Sequence, residues 1–121
     1  MEGFAEGDLT IAVEDDAEQV RLLWRGKSTA RNPSALLQPF FAKIIEIARE
    51  PKRTISLELE RLEHFNSSTI SALIQLIHAC RAEGTKLVIS FDGRVKWQKL
   101  SFEALRVLAK PDGLLVVRSV A

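Results

Sequence analysis

The chain has 121 residues, of which 46% are hydrophobic, and its 17 basic and 16 acidic residues leave a formal net charge of +1 at pH 7. This size and composition fit one globular domain whose core needs neither disulfides nor a structural metal. The nearly neutral charge provides no strong electrostatic field, so we expect neither nucleic acid nor anionic lipid as a partner.

The first residues lack the features of a targeting segment. Residues 1–7 have neither the basic start nor the apolar stretch of a signal peptide, and we predict them as a flexible tail before a domain at 8–121. No apolar run approaches the roughly 20 residues of a membrane span. The single cysteine, Cys80, cannot form an internal disulfide and is interpreted as a core residue. We therefore expect a cytoplasmic protein without membrane insertion.

An antiparallel hairpin is predicted at the start of this domain. Apolar and polar residues alternate at 9–13 and again at 19–24, and the acidic run at 14–16 separates the two stretches. Residues 25–31 then form a polar, basic loop.

A first helix follows this loop. Asn32 is suited to cap it, Pro33 is suited to its first position, and an apolar face continues to Arg49. Pro39 lies inside this pattern. Because proline removes an intrahelical donor, it predicts either a kink or a later start of the helix.

The rest of the chain alternates between strands and helices. The predicted elements are a strand at 54–59, a helix that begins at Ser67 and ends just before Gly84, a strand at 86–91, a helix at 95–109 and a strand at 114–120. A short loop at 60–66 separates the first of these strands from its helix. This order predicts an α/β fold with a mixed sheet of about five strands, mostly parallel at its core and backed by helices.

The most informative segment is a run of hydroxyl side chains at one helix start. Ser67, Ser68 and Thr69 follow Asn66 where the strand and loop give way to the second helix. Free backbone N–H groups and the helix dipole stabilise an anion at this position, including a phosphate attached to a serine. On local features alone, Asn66 and Ser67 are also explained as capping residues, each worth about 1 kcal/mol.

Several stretches together resemble the STAS domain, the fold of bacterial anti-sigma factor antagonists. Members of that family have an aliphatic strand, then Asp-Ser-Ser-Gly with a phosphorylated first serine, then a helix rich in leucine and isoleucine. The resemblance covers about residues 10–120. The stretches that carry it are 57–59, 65–68 and 70–74, together with Gly26 after the second strand and the segment 95–100.

The resemblance implies that Ser67 accepts the phosphate, with Ser68 and Thr69 as weaker candidates further inside the helix. Asn66 replaces the usual aspartate and Thr69 the usual glycine. A variant group of single-domain regulators of biofilm and second-messenger signalling reads Asn-Thr-Ser-Ser before an aliphatic residue, and the segment from Asn66 to Ile70 is similar to it. The resemblance leaves the target protein open, because the anti-sigma factor antagonists and the variant regulators share a phosphorylation switch but act on different proteins.

The resemblance further implies a binding module that is controlled by other proteins. Its expected partners are a serine kinase or anti-sigma factor of the histidine-kinase-like ATPase type, a serine phosphatase and, for the variant group, a diguanylate cyclase. The residues expected to contact a partner are His64, Phe65, Ser68, Gly26 and Lys27. A constitutive subunit of a lipid ABC transporter and a stressosome-type scaffold are the alternatives.

No catalytic site, metal or cofactor is predicted. His64 and His78 are far apart in the sequence, with no cysteine beside either, so they do not form a metal-binding pattern. The sequence shows no Ser-His-Asp constellation and no paired carboxylates suited to acid–base catalysis. We therefore expect no enzymatic activity.

The third helix carries two large aromatic residues that cannot share one narrow face. Trp97 and Leu100 are expected on its apolar side, packed in the core. Phe102 is expected either in the core or exposed as an anchor for a partner.

Overall fold

The structure is a computed structural model that describes residues 2–120. Its strands are β1 (Phe4–Glu6), β2 (Leu9–Asp15), β3 (Gln19–Ser28), β4 (Thr54–Glu58), β5 (Leu62–Phe65), β6 (Leu87–Asp92) and β7 (Leu115–Val120). Its helices are α1 (Pro33–Arg49), α2 (Ser67–Ala82) and α3 (Lys96–Glu103), and α3 continues as a 3₁₀ segment, Ala104–Leu108.

All the strands belong to one mixed sheet. Its order is β1-β2-β3-β4-β6-β7, with β5 paired to the second half of β3. The pairs among β1, β2 and β3 are antiparallel, whereas β3, β4, β6 and β7 pair in parallel. The predicted α/β class and the parallel core are confirmed, but the sheet has seven strands instead of about five.

One additional strand is β5, in a segment that the sequence predicted as a loop. It pairs in parallel with β3, where Gly26 lies opposite Leu62 and Lys27 opposite His64. Leu62 is buried and Phe65 is half-buried. Four residues with only two apolar side chains are too few for a recognisable alternation, so the prediction was wrong here.

The other additional strand is β1, in the segment predicted as a flexible tail. It pairs with β2, and the ring of Phe4 packs against that of Phe40 with centroids 5.6 Å apart. The prediction of a tail is therefore wrong for residues 4–6, because one aromatic side chain provides no periodic signal. Met1, also assigned to the tail, lies outside the described residues.

Helix α1 begins where its capping residues predict. The side chain of Asn32 accepts a hydrogen bond from the backbone N–H of Ala35 at 3.3 Å, and Pro33 is the first helical residue. The helix continues through Pro39, so the alternative of a later start is wrong. Pro39 and Ala35 are both exposed, which lets water satisfy the carbonyl that loses its helical donor.

The hydrophobic core lies between the helices and one face of the sheet. Trp24, Phe41, Ile55 and Ile89 are buried there. Cys80 belongs to the same cluster, as predicted, and burial raises the pKa of its thiol to about 12. None of the helices within residues 2–120 has the length and apolar character that crossing a bilayer would require.

Candidate functional site

The hydroxyl run lies where β5 ends and α2 begins. The side chain of Asn66 caps α2 by accepting a hydrogen bond from the backbone N–H of Thr69 at 3.1 Å. Ser67 is the first helical residue and is exposed, and the first turn of α2 carries no acidic side chain. The predicted start of this helix is confirmed, and Ser67 lies at the positive end of its dipole.

Asn66 also ties this helix start to the end of β3. Its side-chain N–H donates to the carbonyl of Ala30 at 2.8 Å, and its backbone N–H donates to the carbonyl of Ser28 at 3.0 Å. The hydroxyl of Thr69 lies 2.9 Å from the amide oxygen of Asn66 and 2.8 Å from the hydroxyl of Ser28. Because an amide oxygen only accepts, Thr69 donates to Asn66 and accepts from Ser28.

The three adjacent hydroxyl residues therefore differ in accessibility. Ser67 is exposed, Ser68 is half-buried and Thr69 is fully buried. A kinase must reach the oxygen that it modifies, and the Thr69 hydroxyl is occupied by two hydrogen bonds. Of these three hydroxyl residues, Ser67 is therefore the most accessible, whereas Thr69 stabilises the helix start.

We expect Asn66→Ala to lower the free energy of unfolding by about 2–3 kcal/mol, because it removes a cap and leaves the buried Thr69 hydroxyl without its acceptor. Asn32→Ala is the matched control, since Asn32 also caps a helix but is exposed and accepts only one bond. We expect that control to lose about 0.5–1 kcal/mol. Urea denaturation measures the free energy of unfolding of both variants. Equal losses would contradict the role of the hydrogen-bond network around Asn66 and Thr69.

Ser67 lies at the edge of a groove between α2 and α3, called here the α2–α3 groove, with a volume of about 630 Å³. Most of its lining is apolar. Of the large hydrophobic residues within 2–120 that are exposed, Leu100 (67%) and Val107 (84%) lie in this groove. The lining residues are His64, Phe65, Ser67, Ile70, Ile74, Trp97, Leu100, Ser101, Ala104, Leu105, Val107 and Leu108.

The base of this groove rests on an aromatic cluster, in which Phe65 and Trp97 line the groove and Phe102 packs against both. The ring of Phe65 stacks on that of Phe102 with centroids 5.2 Å apart, and it contacts Trp97 at 5.4 Å. Phe102 is fully buried, which decides between its two predicted roles in favour of the core. Trp97 is half-buried and packs against both phenylalanines, as predicted. Phe65, a predicted partner contact, is mainly part of this base.

The outward side of α3 differs from its predicted apolar face. Leu100 is exposed, although the sequence places it with Trp97 on the core side, and Ala104 one turn later is exposed as well. The side that faces the sheet carries Gln98 and Phe102 instead, both buried. The predicted helix at 95–109 also changes to 3₁₀ geometry after Glu103, so its periodicity is not constant.

Gln98 fixes α3 to the sheet. Its side-chain N–H groups donate to the carbonyls of Glu60 (3.2 Å) and Leu62 (3.0 Å), and its oxygen accepts from the backbone N–H of Asp92 at 2.8 Å. Burial raises the pKa of the neighbouring Glu60, whose carboxylate accepts a hydrogen bond from Ser90. This role of Gln98 is not predictable from the sequence, since one glutamine in a helix is usually exposed.

The remaining predicted partner contacts lie at different places. His64 is exposed on β5 and lines the α2–α3 groove. Gly26 has a φ of 87°, and a Cβ atom there would lie 1.9 Å from the carbonyl oxygen of Asp8, so it is required by the backbone. Lys27 is exposed outside this groove and lines a smaller cavity near the start of α1. Within residues 2–120, His, Cys, Asp and Glu form no cluster able to hold a metal ion.

Comparison with known proteins gives both a family and a fold. The profile of the SiaC family of regulatory phosphoproteins matches residues 5–97. The structure of SiaC of Pseudomonas aeruginosa aligns with a TM-score of 0.63 and 18% identity, over 98% of this chain and 97% of that chain. None of the curated proteins matches the chain.

Two further solved structures have the same fold. A chain in the crystal structure of the diguanylate cyclase SiaD in complex with its activator SiaC, from P. aeruginosa, aligns with a TM-score of 0.66 and 17% identity, over 98% of each chain. An uncharacterized protein with a SpoIIAA-like fold from Shewanella loihica aligns with a TM-score of 0.55 and 12% identity, over 96% of this chain and 91% of that chain. The predicted STAS-like fold is thereby confirmed.

Proposed function

Because the chain belongs to the SiaC family of regulatory phosphoproteins, we propose that it binds a partner protein and that a phosphate on Ser67 controls this binding. The observation that carries the proposal is the exposure of Ser67 at the first position of α2, beside an apolar groove. Ser67 also occupies the place of the phosphorylated serine in the STAS resemblance. Ser68 and Thr69 are less accessible.

The partner that we propose is a diguanylate cyclase. A structure similar to this chain is described as a complex of the cyclase SiaD with its activator SiaC. That description supports a cyclase more than the anti-sigma factor implied by the wider STAS resemblance. A separate serine kinase would add the phosphate and a separate phosphatase would remove it, so the chain itself would need no catalytic group.

A phosphate on Ser67 would change the groove in a simple physical way. It adds a charge of about −1.5 to −2 near pH 7 and three strongly hydrated oxygens. The helix dipole and the uncharged Asn66 tolerate this charge within the regulator itself. An apolar partner surface would have to remove water from the phosphate, and an acidic surface would be repelled. Phosphorylation is therefore expected to weaken binding.

The test adds the unmodified or Ser67-phosphorylated protein to purified diguanylate cyclase from the same organism and measures the rate of product formation from GTP. We expect the unmodified protein to change the rate of product formation. The phosphorylated protein should lose most or all of this effect. The control is Ser67→Ala treated with the same kinase, which should act like unmodified protein. If the cyclase alone and the cyclase with each of the three preparations gave the same rate, the cyclase would be refuted as the partner.

A further inference from the structure

A separate cavity of about 270 Å³, called here the β6–α3 pocket, lies where α3 and its 3₁₀ continuation meet the ends of β6 and β7. It shares no lining residue with the α2–α3 groove, because α3 turns a different side toward each of them. Besides a buried phenylalanine, its lining consists of three basic residues, one acidic residue, one serine and one glycine: Arg94, Lys99, Arg106, Glu103, Ser119 and Gly93.

The positive charge of the β6–α3 pocket is only partly neutralised by neighbouring carboxylates. Arg94 pairs with Asp92, which lies just outside the lining, and Arg106 pairs with Glu103, each at 3.2 Å. Lys99 is exposed, and within residues 2–120 it forms no ion pair. Even when both ion pairs are counted as neutral, one positive charge is therefore left for a ligand.

The ion pairs hold the two arginines in place without using all their donors. Nε and Nη2 of Arg94 donate to the carboxylate of Asp92, each at 3.2 Å. Nε of Arg106 donates to the carbonyl of Val117 at 3.0 Å, and its Nη1 donates to Glu103 at 3.2 Å. Among the described residues, the remaining amino group of each guanidinium, Nη1 of Arg94 and Nη2 of Arg106, has no acceptor. Each arginine is thus restrained and still has a free pair of N–H groups.

A hydroxyl group and a glycine complete the wall of this pocket. A Cβ atom at position 93 would collide with the hydroxyl oxygen of Ser119, so the close approach of the two residues requires Gly93. This approach places the Ser119 hydroxyl beside the turn that carries Arg94. Ser119 is exposed on β7, and its hydroxyl is therefore a further donor for a ligand in the pocket.

We propose that the β6–α3 pocket binds the phosphate group of a small molecule. Its four donor side chains come from four separate segments: the turn after β6, helix α3, the 3₁₀ segment and strand β7. Donors that converge from several directions suit an anion with oxygen atoms on all sides, as phosphate has, better than a planar carboxylate with two. The one carboxylate in the lining, Glu103, is already paired with Arg106. This site does not include Ser67, and the inference is independent of the proposed function.

The experiment titrates the ¹⁵N-labelled full chain with inorganic phosphate at low ionic strength and follows the backbone amide signals by NMR. We expect saturable shifts of the signals of Gly93, Arg94 and Ser119. The dissociation constant should be about 1–10 mM, as expected for a few charge-assisted hydrogen bonds at an open site. Acetate, which has only two oxygen atoms, should bind at least about fivefold more weakly.

Lys99→Gln should weaken phosphate binding by about fivefold or more, because it removes the one charge that no carboxylate neutralises. The matched control is Lys96→Gln. Lys96 is exposed on the same helix and carries the same charge, but it does not line the pocket, so we expect less than about a twofold effect. Ser119→Ala tests the pocket without changing its charge, and we expect about a threefold loss. Circular dichroism verifies that the variants are folded.

Glycerol 3-phosphate and GTP, titrated in the same way, identify the source of the phosphate group. An affinity for either that is at least about tenfold higher than that for inorganic phosphate would assign the pocket to a phosphate ester, and equal affinities would assign it to the free ion. Shifts that do not saturate, equal losses in Lys99→Gln and Lys96→Gln, or acetate bound as tightly as phosphate would overturn the inference.

Discussion

Ser67→Ala is expected to abolish the uptake of phosphate from the cognate serine kinase. Ser67 is exposed at the start of α2, whereas the next hydroxyls are half-buried in Ser68 and fully buried in Thr69. Reaching Thr69 would break its hydrogen bonds to Asn66 and Ser28. Intact-protein mass spectrometry after incubation with kinase and ATP measures the modified fraction, which should fall from near completion to the background level.

Ser71→Ala is the control for this variant. Ser71 is an exposed serine one turn further along α2, so its replacement removes an accessible hydroxyl from the same helix while Ser67 is kept. We expect normal phosphorylation of that variant. Full modification of Ser67→Ala would contradict the assignment, and peptide mapping would then show whether Ser68 is the acceptor.

Phe102→Ala is expected to cause the largest loss of stability, about 3–5 kcal/mol, as for other buried phenylalanines. Phe102 is fully buried and packs against Phe65, Phe91 and Trp97. Its removal would leave a cavity beneath the α2–α3 groove. Such a loss is a large part of the 5–15 kcal/mol that stabilises a typical domain. Urea denaturation followed by tryptophan fluorescence measures it.

Leu100→Ala provides the comparison two residues earlier in the same helix. The side chain of Leu100 is exposed, so its truncation should change the free energy of unfolding by no more than about 0.5 kcal/mol. We nevertheless expect it to weaken partner binding. A destabilisation of Leu100→Ala similar to that of Phe102→Ala would show that Leu100 packs in the core and that the groove is not open.

Local signals made the second helix predictable. Asn66 is a strong capping residue, the apolar period continues from Ile70, and Gly84 follows the end of the helix, so three independent features agree. The short strands β1 and β5 lacked such signals. Their apolar residues, such as Phe4 and Leu62, become meaningful only when β2 and β3 lie beside them.

The α2–α3 groove was not predictable for a different reason. Periodicity identified an apolar side of α3, but the orientation of that helix depends on the contacts of Gln98 and Phe102 with the sheet. These contacts turn Leu100 toward solvent. Predicting a surface formed by two helices therefore requires the tertiary structure. The position of Ser67 at the start of α2 is predictable from the sequence alone.

The two departures from the usual STAS motif lie in one hydrogen-bond network. An aspartate at position 66 would lack the N–H that donates to the carbonyl of Ala30. A glycine at position 69 would lack the hydroxyl that links Asn66 to Ser28. Asn66 and Thr69 thus belong to one hydrogen-bonded unit. Aspartate at position 66 alone would leave the carbonyl of Ala30 without its side-chain donor, and glycine at position 69 alone would leave the Ser28 hydroxyl without its partner.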